Sequence, residues 1–154
     1  MRKIIAVAAV LGALTLGACT TQMHGSAQTT ATNTGSSGNT GNTGSSLQSW
    51  WSSVQSDAHA IGSDGNQIST DANNNDQAAV QSDCQSLLTD TQAAQSDPAV
   101  PNTLMQVNWS SALSDYAAGA QACINGDFNT ATSDLDNGNN QLTDLANAIS
   151  NAIG

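Results

Sequence analysis

Between Leu47 and Gly154, apolar and small side chains return in alternating steps of three and four residues, a spacing that only the 3.6-residue turn of an α-helix gathers onto one face. The first stripe reads Leu47, Trp51, Val54, Ala58, Ile61, Gly65, Ile68 and Ala72. A polar break, Asn73 to Asp76, precedes a second stripe of Gln77, Val80, Cys84, Leu87, Thr91 and Ala94. Pro98 and Pro101 interrupt the chain again. Pro101 suits the first turn of a third helix, whose stripe is Met105, Trp109, Ala112, Tyr116, Ala120 and Cys123. Gly126 suits a left-handed cap, and Asp127 an N-cap for a fourth helix carrying Phe128, Ala131, Leu135, Gly138, Leu142, Leu145, Ile149 and Ala152. Four helices on short connections predict an all-α fold, an antiparallel four-helix bundle over 47–154. Stripes rich in Ala, Gly and Thr predict close packing around a thin core. Gly62 and Gly65 are the places where the first helix would break if it breaks.

The region before Leu47 has a different character. Arg2 and Lys3 precede an apolar run, Ile4 to Leu16, that is too short to span a bilayer stably and has the charged-then-apolar order of a signal peptide. The run closes on Leu16, Gly17, Ala18 and Cys19, which resembles the lipobox of bacterial prolipoproteins: a branched apolar residue, two small residues and the modified cysteine. The resemblance implies that residues 1–18 are a leader cleaved between Ala18 and Cys19. It also implies that Cys19 then carries a thioether-linked diacylglyceryl, often with an amide-linked acyl chain such as palmitate. At about 0.8 kcal/mol per buried methylene, two or more chains suffice to hold a protein at a membrane. The expected location is extracytoplasmic, anchored to the outer face of the cell membrane, or to an outer membrane in an organism that has one. Residues 19–46 then form the lipidated cysteine and a flexible Thr/Ser/Gly/Asn linker, a disordered tether too polar to bury a core. Its 27 residues after Cys19 reach about 30 Å root-mean-square. His24 lies in it without a second ligand nearby and reads as a solvated side chain.

Processing sharpens the charge balance. Loss of Arg2 and Lys3 takes the formal net charge from −10 to −12. No Lys, Arg or Glu remains, so every acidic group is an aspartate and no Lys or Arg is present to pair with it. Nucleic-acid binding through phosphate neutralisation is excluded, as is attraction to anionic headgroups. Any electrostatic partner is cationic, a basic protein or peptide.

Cys84 and Cys123 are the cysteines left in the helical region, and an exported protein meets oxidising conditions. A Cys84–Cys123 disulfide requires both to lie at one height on neighbouring antiparallel helices. Cys84 to Asp97 is about 20 Å of helix and Asn102 to Cys123 about 32 Å. The difference of about 12 Å matches four extended residues, Pro98 to Pro101. A redox-active dithiol is the weaker reading, because neither the C-x-x-C spacing nor a neighbouring cation is present.

Taken in order, the Trp-led first helix, the Asn-rich break ending in Asp76, Cys84, the Pro98 and Pro101 pair, Trp109 with Ala112 and Leu113, Cys123 and Gly126 resemble a group of small exported helical proteins of actinobacteria. The resemblance covers the domain from about Trp50. It implies the helical fold and the disulfide but no activity, and the absence of Lys and Arg departs from what it would lead one to expect.

The aspartates fall in two heptad series: Asp57, Asp64 and Asp71, then Asp76, Asp83, Asp90 and Asp97. Each makes a stripe beside a helix seam with steps of about 10.5 Å. Calcium needs six to eight oxygens within about 2.6 Å, which no single stripe supplies, although two facing stripes would come closer. Asp71, Asn73 and Asn75 match the opening of an EF-hand loop, but Asp76 replaces its glycine and Ser82 its bidentate glutamate. The stripes therefore read as a solvated acidic face, without a metal or other cofactor. Catalysis has little to work with: His59 is the single histidine of the helical region, Asp57 two residues before it is not at a contacting helical spacing, and Ser56 three before it leaves the set without an acid to complete a triad. Trp51 reads as a core cap with Trp50 at its rim. The expectation is a non-enzymatic, membrane-anchored interaction or spacer module. The alternative is a binding module for a cationic or small apolar ligand, recognisable by a pocket lined by Trp51, Trp109 and Tyr116.

Overall fold

The computed structural model describes residues 40–153 as four helices: α1 (Thr40–Asn73), α2 (Gln77–Ala94), α3 (Thr103–Ile124) and α4 (Phe128–Ile153). Consecutive helices pack against each other and α1 meets α4 more sparsely, which closes an up-down-up-down bundle. The expected leader 1–18, Cys19, His24 and the tether as far as residue 39 lie outside the described residues.

Two of the three connections are built alike. At the end of α1, Asn75 takes a left-handed φ of 58°, while the Asn75 and Asp76 N–H groups donate to the carbonyls of Ala72 and Asp71. At the end of α3, Gly126 has φ 81°, and the N–H groups of Gly126 and Asp127 donate to Cys123 and Ala122. This double bond satisfies carbonyls that the helix end leaves open. The residue that follows each left-handed position starts the next helix. Asp76 accepts from Ala79 N–H at 3.1 Å, and Asp127 from Thr130 N–H at 3.2 Å and Thr130 Oγ1 at 2.8 Å. The Asn-Asn-Asp and Asn-Gly-Asp tripeptides thus each stop one helix and start another.

The third connection, 95–102, is longer and does vertical work. α2 ends at Ala94, three residues before the expected end, because Ser96 and Asp97 close tight turns onto Ala93 and Ala94 and Pro98 cannot continue a helix. The segment then runs to Asn102, whose side chain accepts from the N–H groups of Leu104 and Met105 at 3.0 and 3.2 Å. Asn102, not Pro101 within the first turn, is therefore what starts α3. Val100 turns into the core, and its N–H donates to Gln106 Oε1 at 2.6 Å. The height gained here brings Cys84 and Cys123 level, and they are joined with a Cα separation of 6.2 Å.

The core follows the stripes with three corrections. Trp50, not Trp51, is the buried tryptophan: its Nε1 donates to Pro98 O at 2.7 Å and its ring meets Trp109 edge-on at 5.6 Å, while Trp51 is half-buried. A buried indole settles where its N–H finds an acceptor, and steps of three or four from Leu47 serve equally well. Gly65 is half-exposed and Gly62 buried, and α1 passes unbroken through both. Finally, α1 begins at Thr40, so residues 40–46 of the expected linker are helical. Once nucleated, a helix gains a hydrogen bond per added residue, against which Thr, Ser and Asn cost a few tenths of a kcal/mol each. α1 passes near the end of α4 at Gly44, where a Cβ would make an ordinary contact, 3.6 Å from Ala152 O.

α3 and α4 are locked by reciprocal glycines. A Cβ on Gly119 would sit 2.9 Å from Leu135 Cγ and 3.2 Å from Ala131 O; one on Gly138 would sit 3.1 Å from the Tyr116 ring and 3.3 Å from Ala112 O. Each helix thus offers a glycine to a large side chain of the other.

Candidate functional site

The two aspartate stripes face each other. α1 and α2 are antiparallel about the Asn74–Asp76 corner, so residue numbers rising along one helix meet numbers falling along the other. Asp57 meets Asp97, Asp64 meets Asp90, and Asp71 meets Asp83, each pair with carboxyl oxygens in hydrogen-bonding range. The three pairs share one register, and seven-residue steps make them a ladder with rungs about 10.5 Å apart. Within each rung one oxygen is shut off from water: Oδ2 of Asp64, of Asp83 and of Asp97, none of which has a hydrogen-bond donor.

Two ionised carboxylates only accept hydrogen bonds, so a rung closes with a hydrogen bond only when it holds a proton. Desolvation and then the repulsion and hydrogen bond of Asp90 push the Asp64 carboxyl up to about 6, with a smaller contribution from Asp83. Asp83 is raised by desolvation, by its hydrogen bond to Asp71, and by the charges of Asp71 and Asp76. Asp97 is raised by desolvation and by Asp57. Asp127 is the counter-example: free in solvent, it accepts from Thr130 and Asn129 and is held below the usual carboxylate range.

The other sequence-derived candidates are dispersed. His59 is exposed on α1. Trp109 is packed by Trp50, and Tyr116 lies on Gly138 with its hydroxyl donating to Asn139 Oδ1 at 2.6 Å; its burial pushes the phenol well above its usual range. Both rings are buried in the core. The EF-hand-like residues Asp71, Asn73 and Asn75 belong to the last turn of α1 and its cap, and Asp76 is spent on the N-cap of α2. Among the described residues, no three His, Cys, Asp or Glu side chains converge as a metal site. Nor is any described helix long and apolar enough to cross a membrane.

Sequence reasoning found both stripes and considered their facing each other only as the condition for a weak shared cation site, without pairing the residues. Folding the two series about the Asn73–Asp76 break would have paired them, since the residue numbers in all three rungs add to one total. The burial of one oxygen per rung has no sequence signal. Comparison with protein-family models, curated proteins and solved structures returned no match.

Proposed function

We propose that this chain is a lipobox prolipoprotein whose mature form is tethered through Cys19 to the extracytoplasmic face of a membrane, where the bundle acts through contacts as a non-enzymatic interaction or spacer module. The observation that carries the reading is the employment of the reactive side chains. Cys84 and Cys123 are consumed in a disulfide, Asp76 and Asp127 cap helices, Tyr116 is hydrogen-bonded in the core, and His59 stands alone at the surface. Among the described residues, the hydroxyls that touch a carboxylate, Thr130 on Asp127 at 2.8 Å and Ser56 on Asp57 at 3.5 Å, are exposed on the bundle's surface. The N-terminal leader and the Leu16 to Cys19 motif supply the anchor, and α1 continues the chain from the anchored end.

Detergent-phase partitioning tests this. The intact protein is expected in the detergent phase, with labelled palmitate incorporated. Cys19→Ser is expected in the aqueous phase or as uncut precursor. An unchanged partition in that variant refutes the anchor.

A further inference from the structure

The strength with which each helix is held differs around the bundle. α2 and α3 are joined covalently through Cys84 and Cys123, and α3 and α4 interlock through Gly119 and Gly138. α1 has neither device. It meets α4 sparsely, and its main partner is α2, along the side of which the three carboxyl rungs run. Apart from Trp50, which fixes the early part of α1 to Pro98 and Trp109, the element with the sparsest helix–helix contact is thus the one whose principal interface is edged by like charges.

We propose that the α1–α2 interface is a proton-operated latch, closed when each of the rungs Asp57–Asp97, Asp64–Asp90 and Asp71–Asp83 holds a proton and loosened when both members of a rung are ionised. The geometry gives each rung the same parts: a carboxyl group from α1, one from α2 or, at Asp97, from the connection that follows α2, and one oxygen hidden from water without a hydrogen-bond donor. Opening the latch would separate α1 from a core that includes Val54, Ile61 and Ile68, while α2, α3 and α4 stay linked. The inference goes beyond the anchoring proposal and does not depend on it.

The surroundings offer nothing else to neutralise the rungs. The described residues contain no Lys or Arg. On α1, His59 is exposed and takes part in no rung, and Gln67 donates to Asp71 Oδ2 at 3.0 Å. On α2, Asp76 adds a further negative charge near Asp83. α3 brings Asp115, which accepts from Gln141 of α4 at 2.6 Å, and α4 brings Asp134, Asp136 and Asp144; none contributes to a rung.

The sign follows from linkage. A carboxyl whose folded pKa lies above its unfolded value near 3.8 contributes stability that is complete below that value and is lost as pH rises through the folded one, about 6 for Asp64. Closure therefore belongs to acid conditions and release to neutral ones.

The test compares the full chain, disulfide intact, at about pH 4.5 and about pH 7.5 by thermal melting and by hydrogen exchange corrected for intrinsic rates. The expected result is a melting temperature about 5–10 °C higher at the lower pH. Exchange protection in α1 is expected to fall about tenfold or more at the higher pH, with α3 falling less. Asp64→Asn with Asp83→Asn and Asp97→Asn, which gives each rung a permanent amide donor, is expected to hold α1 protected at both pH values. Asp134→Asn with Asp136→Asn and Asp144→Asn removes the same charge from α4 and is expected to leave the pH response intact. A flat wild-type response, a rung variant that responds like wild type, or an α4 variant that loses the response equally would each overturn the latch, the last by assigning it to general repulsion. Should the rung variant fail to fold, exchange on the unaltered chain decides: equal pH dependence in α1 and α3 sinks the proposal.

Discussion

Thr91 is the one fully buried polar residue among those described, and its Oγ1 has no hydrogen-bond partner. It occupies a stripe position where the sequence pattern asks only for something that fits, and a hydroxyl without a partner forfeits its hydration for nothing. Thr91→Val keeps the shape and removes the orphan, so urea melts should show a gain of about 1–2 kcal/mol. Glycines in the helices divide in the same local way. At Gly65 a Cβ meets nothing within 4 Å, so Gly65→Ala should stabilise by about 0.5–1 kcal/mol through helix propensity alone. At Gly119 the same change drives a methyl into Leu135 and the Ala131 carbonyl, and overpacking of about 1–3 kcal/mol should outweigh that gain. The stripes place Gly65 on the seam and leave Gly119 off it; burial reverses both, because the facing side chain decides whether a glycine is needed and one helix's periodicity carries no record of it.

At the scale of elements, sequence was most informative where a single residue type has a single job. Gly126 and Asp127 are legible as a stop and a start because few residues adopt φ near +80° and few side chains cap a helix. Asn75 and Asp76 perform the same two jobs, yet within an Asn-rich stretch the left-handed position is not marked. The tryptophan pair shows the limit of periodicity: positions 50 and 51 both fall near the seam, and the choice is made by Pro98, a carbonyl 48 residues away. Trp50→Phe should therefore remove a buried donor, strand that carbonyl and cost about 1–3 kcal/mol, whereas Trp51→Phe should shift stability by less than about 0.5 kcal/mol. Equal effects in chemical denaturation would place the anchor of the 95–102 connection elsewhere. The disulfide was legible for a different reason, since helix lengths on either side of the prolines fix the heights of the cysteines without any knowledge of side-chain packing.

For the whole molecule, the governing fact is a described region whose acidic side chains are all aspartate, with no Lys or Arg to offset them. Self-repulsion of this kind is long-ranged and weakens as salt shortens the screening length, about 10 Å at 0.1 M. Sodium chloride should thus raise the melting temperature at neutral pH. The rise should shrink near pH 4.5, where Asp64, raised to about 6, has already lost its charge. A specific calcium site would act by another law, adding stability as RT ln(1 + [L]/Kd) once calcium exceeds its dissociation constant, independently of screening. The rungs bring two carboxyl groups together where calcium takes six to eight oxygens, and the spacing of about 10.5 Å keeps one rung from lending ligands to the next. Melts in calcium, magnesium and sodium at equal ionic strength should consequently differ little, with a small increment common to both divalent ions. A calcium-selective rise that vanishes in Asp71→Asn or Asp83→Asn would show that a rung gathers ligands beyond its own two carboxylates, and the acid ladder would then be a metal site.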